Sequence, residues 1–433
     1  MNLSTSRPKG RSLPFDKFKA PSTTEGLKVH PEQRIHGPFM TGQRAAERVN
    51  FYGYRRPDGK VGVRNHVIVL PSVACSVEVA NAIARGVKGV ISLSHQHGCA
   101  QLPFDAEQTE RTLVGVGKNP NVAAVLVVGL GCEVLDAPTI ARKIAESGKP
   151  VKSLVIQEEG GSPKTVKAGI RIAREMMAFA RRLKRKKVDV DSLILGVECG
   201  GSDACSGLSA NPALGVTSDR LVKEGGTIIL SETTESIGAE HILARRAVNS
   251  KVRKKILEIV KRTEMRALNL GLDIGKANPA PGNYEGGITT LEEKSLGCVM
   301  KGGTGRIMEV LEYSEAPTSK GLVLMDTPGH DAESMTGLIA GGTQIIAFTT
   351  GRGTPMGSPI APVIKIATND SLYSRMKENM DLNAGEIITG KKSVEEMGEK
   401  IFSEVLRVAS GKLTKSEILG HREFAINRLG PSF

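Results

Sequence analysis

From His66 onward, short apolar runs alternate with longer stretches whose apolar positions recur at helical spacing. Four runs read as strands in the first part of the chain: His66-Val67-Ile68-Val69-Leu70, Gly89 to Leu93, Ala123 to Val128 and Lys152 to Ile156. Helical spacing covers Glu78 to Gly86, Ala106 to Val116, Thr139 to Ser147 and Lys164 to Lys184. The pattern then restarts, with strands predicted at Ser192 to Leu195, Thr227 to Leu230, Gly321 to Met325, Gln344 to Phe348 and Val363 to Ala367. Helices are predicted around Glu240 and His241, over Lys251 to Leu270, over Leu291 to Met300 and, as an amphipathic closing element, over Val394 to Ala409. Alternation of this kind is the mark of βαβ units, so the fold class is α/β, two domains with mostly parallel sheets. The expected division is a basic N-terminal arm over 1–50, a first α/β domain over 51–190 and a second over 191–433.

One stretch organises the rest. Gly196-Val197-Glu198-Cys199-Gly200-Gly201-Ser202-Asp203-Ala204-Cys205-Ser206-Gly207-Leu208-Ser209-Ala210-Asn211 follows a predicted strand and leads into a helix opening at Pro212. Open α/β sheets bind ligands at such strand-turn-helix junctions, and glycines let the backbone come close to a ligand. A plain capping turn is the default for a glycine-rich connection, but here thiols, a carboxylate, an amide and hydroxyls are crowded into it.

Composition narrows the class. Trp is absent, aromatics are 3% and Gly numbers 49, so the cores are built from Val, Ile, Leu and Ala, as in parallel sheets. No apolar run approaches membrane-spanning length and the N-terminus has no apolar signal core, so a cytoplasmic protein without membrane attachment is expected. The six cysteines are scattered, and no CxxC pair occurs; free thiols or metal ligands fit better than a disulfide framework or a zinc ribbon. Cys75, Cys99, Cys132 and Cys199 all come at or just after predicted strand ends. The formal charge of +13 lies largely in the arm and in basic helical stretches such as Arg181 to Lys187, read as a solvated helix end. Without interleaved aromatics it points to an anionic small molecule and not to nucleic acid.

The loops after the strands carry the candidate chemistry. Imidazole, thiolate and carboxylate from His95, His97, Cys99, Cys132, Glu133, Glu158, Glu159, Cys199 and Asp203 form a mixture suited to Fe(II), Mn(II) or Zn(II), with His95, which directly follows a strand, favoured over His97, read as an incidental surface histidine. Of these, Cys99, Cys132, Glu133, Glu158, Cys199 and Asp203 are the expected metal ligands. His95, Glu232, His241 and Lys294 are the expected catalytic acids, bases or charge clamps, with Lys301 a further candidate. Ser202, Asn211, Thr350 and Arg352 are the expected substrate contacts; Arg352, in a glycine-rich turn, suits bidentate capture of a carboxylate. Nucleotide binding is disfavoured: no Walker motif occurs, and Gly129-Leu130-Gly131 runs into Cys132-Glu133 in place of the dinucleotide fingerprint.

The blocks VRNHVIVLPSVACS, HQHGCAQ, PNVAAVLVVGLGCE, QEEGGSPKTVKAGI, ECGGSDACSGLSANPALG, ILSETTESIGAEHILARRA, PGNYEGGITTLEEKSLG, GLVLMDTPG and FTTGRGTPMG together resemble the altronate and galactarate dehydratase family, which includes the large subunit of sulfolactate sulfo-lyase. The resemblance runs from about Gly53 to the C-terminus. It implies a lyase acting on a 2-hydroxy carboxylate, a sugar acid dehydrated to a 2-keto-3-deoxy acid, with Fe(II) or Mn(II) supporting elimination. It also implies an oligomer completed by a separately encoded small β-clip subunit, since residues 1–50 carry no such domain. HQHGCAQ and GLGCE are similar to the sugar-acid dehydratase branch, and that branch is the expectation. GYRRPDGKVGVRNHVIVLP and LTKSEILGHREFAINRL are closer to the sulfo-lyase, which makes sulfite release from sulfolactate the alternative. A non-catalytic anion-binding subunit is the other.

Overall fold

A computed structural model of the chain describes residues 48–433; the expected arm over 1–50 falls almost wholly outside them. Strand β1 (Asn50–Arg55) turns through Pro57-Asp58-Gly59 into β2 (Val61–Gly62), with Gly59 at φ +82, where a side chain would be strained. The first parallel sheet is built from β3 (His66–Pro71), β4 (Val90–Ser92), β5 (Val122–Gly129) and β6 (Val151–Val155), in the order β4-β3-β5-β6. The connecting helices are α1 (Val77–Arg85), α2 (Pro103–Lys118) and α3 (Ala137–Ala145), with α4 (Ser162–Arg182) closing the unit. All eight residues of β5 are buried, as its unbroken Val and Ala run requires of a strand covered on both faces.

The basic run after α4 departs from the solvated helix end expected of it. The helix stops at Arg182, and β7 (Lys186–Asp189) pairs antiparallel with β1. Arg185 donates from Nη1 to the carbonyls of Tyr52 and Ala409 and from Nη2 to that of Val63. Those carbonyl partners were invisible to a reading that saw only consecutive positive charges.

The second sheet holds β8 (Ile194–Cys199), β9 (Thr227–Leu230), β10 (Ile307–Leu311), β11 (Gly321–Met325), β12 (Ile345–Thr350), β13 (Val363–Ala367) and β14 (Leu382–Asn383). Its order is β10-β11-β9-β8-β12-β13-β14, and every pairing is parallel. Helix α5 (Ala210–Lys223) carries the chain from β8 to β9. Between β9 and β10 lie α6 (Glu240–Arg245), α7 (Ser250–Asn269), α8 (Pro281–Glu285) and α9 (Leu291–Cys298). Helix α10 (Asp331–Ala340) precedes β12, and α11 (Asp370–Arg375), α12 (Gly385–Ile388), α13 (Val394–Ala409) and α14 (Lys415–Leu419) complete the chain. The α/β class with mostly parallel sheets is what the alternating pattern predicted.

Two features of this arrangement position chemistry. Strand order reverses direction beside β3 and β5 in the first sheet and beside β8 and β12 in the second, which is where open parallel sheets form a ligand crevice. The sheets are also joined through a shared core and a polar clamp. Ile68 and Val125 belong to the same apolar cluster as Ile346, Phe348 and Val363. Asn121 accepts from the Val63 amide through Oδ1 and donates from Nδ2 to the carbonyls of Gln344 and Ile360. Asn119 likewise donates to the Ile339 and Thr343 carbonyls. Buried amides satisfied this completely fix one sheet against the other.

Candidate active site

The glycine-rich stretch after β8 leads to a group of charged and thiol side chains that is nearly dry. Cys199 closes β8, and its amide donates to the Glu232 carboxylate at 2.9 Å. Glu232 follows β9 in a left-handed conformation, φ +67 and ψ +69, that a non-glycine residue adopts only when its surroundings force it. Its amide donates to Thr327 Oγ1 at 2.7 Å, and its side chain is bonded to Lys301, which is itself fully buried. Lys301 Nζ also lies 2.8 Å from Cys298 Sγ and 3.3 Å from Cys199 Sγ, and the two sulfurs are 3.2 Å apart. Lys294, Cys298 and Lys301 stand four and three residues apart along α9 and the short turn after it, which puts them on one side of the helix.

Electrostatics explains how such a group persists without water. Burial disfavours the Lys301 ammonium, but the facing Cys199, Cys298, Glu232 and Glu198 outweigh it and hold the lysine well above its ordinary range. Burial, and then the neighbouring Glu232, push the Glu198 carboxyl well up; Ser231 and Ser334 donate to its Oε2, while its Oε1 has no hydrogen-bond partner among the described residues. The Cys199 thiol is raised by its bond to Cys298 and then by burial. Asp331, at the start of α10, is raised to about 7 by burial and by Glu232 and Glu235.

A cavity of about 390 Å³ opens beside this group, lined by Ser202, Asp203, Asn211, Lys294, Gly297 and Met300 among others. Lys294 Nζ, on its wall, is held by Glu235 Oε1 at 3.0 Å and Asn278 Oδ1 at 2.7 Å. Burial works against that ammonium, yet Glu235 keeps it above the usual lysine range. The Glu235 carboxyl is raised by burial against the pull of Lys294, and its Oε2 is buried without a partner among the described residues. Asn211 donates to the Gly297 carbonyl and accepts from Thr349 Oγ1, so its amide is locked in place.

The sequence-predicted residues divide between the two sheets. Cys199, Glu232, Lys294, Ser202, Asn211 and Asp203 meet at or beside the cavity. Asp203 is fully engaged, its carboxylate accepting from Ser206, Thr368 and Asn369 at 2.8–3.0 Å. Thr350 ends β12 and accepts the Gly353 amide, and Arg352 pairs with Glu285 at 2.7 Å near the surface. His241 is exposed on α6, and Glu158 is exposed after β6. His95, Cys99, Cys132 and Glu133 stand at the end of the first sheet. His95 is buried; one ring nitrogen, Nε2, pairs with the Pro71 carbonyl at 2.8 Å, and Nδ1 accepts the His97 amide at 3.2 Å. That pairing fixes the neutral Nε2–H tautomer, and burial lowers the group to about 4. Glu133 accepts from Ser72 Oγ and from the Leu130 and Gly131 amides, and Cys99 and Cys132 are exposed. Two groups of His, Cys, Asp or Glu among the described residues lie close enough to share one ion: Cys199, Glu232 and Cys298, and Glu198, Glu232 and Asp331. Glu198, Glu235, Cys298 and Asp331 escaped the sequence reading; the four-residue spacing of Lys294 and Cys298 on one predicted helix, with Lys301 just past its end, was the signal that could have found Cys298.

Buried acid and base partners lie beside a cavity at the strand-order reversal of a parallel sheet, the place where α/β proteins bind small molecules. The comparisons narrow that class. Residues 53–181 match the second domain of D-galactarate dehydratase/altronate hydrolase, and residues 190–432 match the D-galactarate/altronate dehydratase C-terminal domain. The chain belongs to this family, whose named dehydratases are carbon-oxygen lyases. It is 39% identical to the (2R)-sulfolactate sulfo-lyase subunit beta of Chromohalobacter salexigens over 88% of the chain and 97% of that protein. It is 36% identical to the altronate dehydratase of Bacillus subtilis over 89% of the chain and 78% of the relative. With the galactarate dehydratase (L-threo-forming) of Escherichia coli it shares 37% identity, over 89% and 78% of the two lengths. No helix among the described residues is long and apolar enough to cross a membrane.

Proposed function

We propose that the chain is the large, catalytic part of a lyase that removes the α-proton of a sugar acid of the altronate or galactarate type and expels water, giving a 2-keto-3-deoxy acid. The observation that carries this is Lys294 on the cavity wall, paired with the buried Glu235 behind it and backed by the Lys301–Glu232 pair. Lys294, kept cationic, attracts the substrate carboxylate or protonates the departing hydroxyl. Glu235, its carboxyl raised by burial and one oxygen free, takes the α-proton. Asn211 and Ser202, which also line the cavity, hold the polyol, and Arg352 admits anions from the surface.

The divalent metal expected from the family resemblance fits one of the two close groups better than the other. Lys301 already sits against Cys199, Cys298 and Glu232 at contact distance and supplies there the positive charge that an ion would bring. Glu198, Glu232 and Asp331 offer three oxygen donors, with carboxyls raised by burial and mutual repulsion and one orphaned oxygen, a set suited to Fe(II) or Mn(II). When bound there, the ion supplies charge stabilisation for the enediolate.

A second reading has its own support. The chain covers 97% of the sulfo-lyase subunit beta but 78% of two of the dehydratases, so it is shaped like the subunit that works with another chain. On this reading the leaving group is sulfite, the substrate sulfolactate, and a separate small subunit completes the site. Incubating the protein with Fe(II) or Mn(II), with and without such a small chain, against hexonates, hexarates and sulfolactate decides between them. A 2-keto-3-deoxy acid from a sugar acid supports the dehydratase, sulfite supports the sulfo-lyase, and neither product under any combination refutes both.

A further inference from the structure

We propose that Cys75, Cys99 and Cys132 are the three protein ligands of one iron–sulfur cluster at the end of the four-stranded sheet. The loops bearing them follow β3, β4 and β5, adjacent parallel strands, so all three emerge at the same edge. They are also tied together next to each cysteine. Ala74, beside Cys75, donates its amide to the His97 carbonyl at 2.9 Å. The carbonyl of Gly98, beside Cys99, accepts the Val134 and Leu135 amides at 3.2 and 3.3 Å. Glu133, beside Cys132, accepts from Ser72 Oγ at 2.9 Å. At Gly98, φ +106, a Cβ would stand 2.2 Å from the Ser72 carbonyl oxygen, so the β3 and β4 loops approach as closely as backbone allows. Ala100, on the other side of Cys99, holds a left-handed φ of +54, strain of the kind that accompanies function.

The thiols themselves are free and exposed, whereas Cys199 and Cys298 are buried and Cys205 is partly so. Placing three exposed thiols on three contacting loops serves no packing purpose. A single tetrahedral ion would hold thiolates about 3.8 Å apart, from a metal–sulfur bond of about 2.3 Å. The three cysteines are not among the groups whose donor atoms lie within 4.8 Å of one another. A multi-iron cluster bridges wider gaps and takes thiolate ligands, each thiol losing its proton on binding. His95 is committed to Pro71 and His97, so three thiolates leave one iron without a protein sulfur and open to an oxygen ligand such as water or a hydroxy acid.

The site is distinct from the Lys301 group, and its test does not depend on turnover. The purified chain is reconstituted anaerobically with Fe(III), sulfide and excess dithiol, which reduces part of the iron to the mixed Fe(II)/Fe(III) level of a cluster, then desalted, and iron, acid-labile sulfide and visible absorption are measured. Iron and sulfide in equal amounts with a thiolate-to-iron absorption band are expected, lost in C75S/C99S/C132S and strongly reduced in Cys75→Ser alone. Cys199→Ser, which alters the buried thiol group, is expected to retain both. Circular dichroism checks that the serine variants fold; because Cys75 is exposed, its single substitution is the variant expected to do so in any case. Iron without sulfide, no retained iron, an unchanged cluster in the triple variant or loss on Cys199→Ser would each overturn the assignment.

Discussion

The two parallel sheets present opposite solutions at their carboxyl ends. Beyond the seven-stranded sheet the reactive groups are buried and charged, with Lys301 fully enclosed among two thiols and two carboxyls. Beyond the four-stranded sheet the thiols face solvent, and the two buried imidazoles, His95 and His97, are both lowered by burial. The first end has its own cation and stores interaction energy in ion pairs. The second offers unneutralised soft donors on a backbone scaffold. The same topology thus carries buried, paired charges at one end and exposed thiols at the other.

The sharpest way to break the contrast is to remove the enclosed cation. Lys301→Met keeps the length of the side chain but leaves Glu232 without its partner inside a dry core. Stripping one member from such a pair costs about 3–5 kcal/mol. A large drop in denaturant midpoint together with loss of turnover is expected; a variant with unchanged midpoint would show that Lys301 is not the ion holding the group together.

Lys294 lies at the edge of the same group, and its side chain is only 11% exposed. Lys294→Met should reduce turnover by about a hundredfold, the scale of a positioned proton carrier. Its effect on stability should be smaller, about 1–2 kcal/mol, because the raised Glu235 carboxyl can take up a proton when its partner is lost. Glu235→Gln should match the loss in turnover. Initial rates and thermal melts on the two variants check this, and full activity in either removes the pair from the reaction.

At the other end, pH is the probe. His95 has a folded value of about 4 against an ordinary value near 6.5, so the unfolded chain binds the extra proton first. Its contribution is fully present above pH 6.5 and is lost as pH falls toward 4, by up to roughly 3 kcal/mol. His95→Gln, which can keep a donor toward Pro71 without titrating, should be less stable at pH 7 but show a flatter decline through that window. Urea melts at pH 7, 5.5 and 4.5 would read the difference, and parallel declines would contradict it.

The same contrast separates what the sequence disclosed from what it hid. The parallel-sheet strands from β3 to β9, together with β11 to β13, and most of the helices beside them were legible because a buried parallel sheet leaves unbroken apolar runs. Strands β1 and β7 were not, since the run Lys186–Asp189 has the composition of a solvated turn and becomes a strand only by pairing with residues far back in the chain. Cys199, Glu232 and Lys294 could be found because each sits at a strand end or near a glycine-rich loop. Glu198 and Asp331 could not: a Glu inside an apolar strand and an Asp opening a helix look like an exception and a cap. Only the fold shows that the two carboxyls share space with Glu232.

The smallest expected effect tests the boundary between the buried site and the surface. Arg352 is bonded to Glu285 at 2.7 Å, but their side chains are 41% and 66% exposed, and exposed pairs contribute only about 0–1 kcal/mol. Its backbone matters more to the fold than its charge, since the Arg352 amide donates to the Gly201 carbonyl at 2.8 Å. Arg352→Ala keeps that amide, so the melting temperature should hardly change. If Arg352 guides the anion, its loss should raise KM by about tenfold with kcat little altered, the mark of binding lost equally in ground and transition states. Glu285→Ala frees the guanidinium and should lower KM instead. Equal KM values across the two variants would place Arg352 outside the route to the cavity and leave Lys294 as the cation that first meets the substrate.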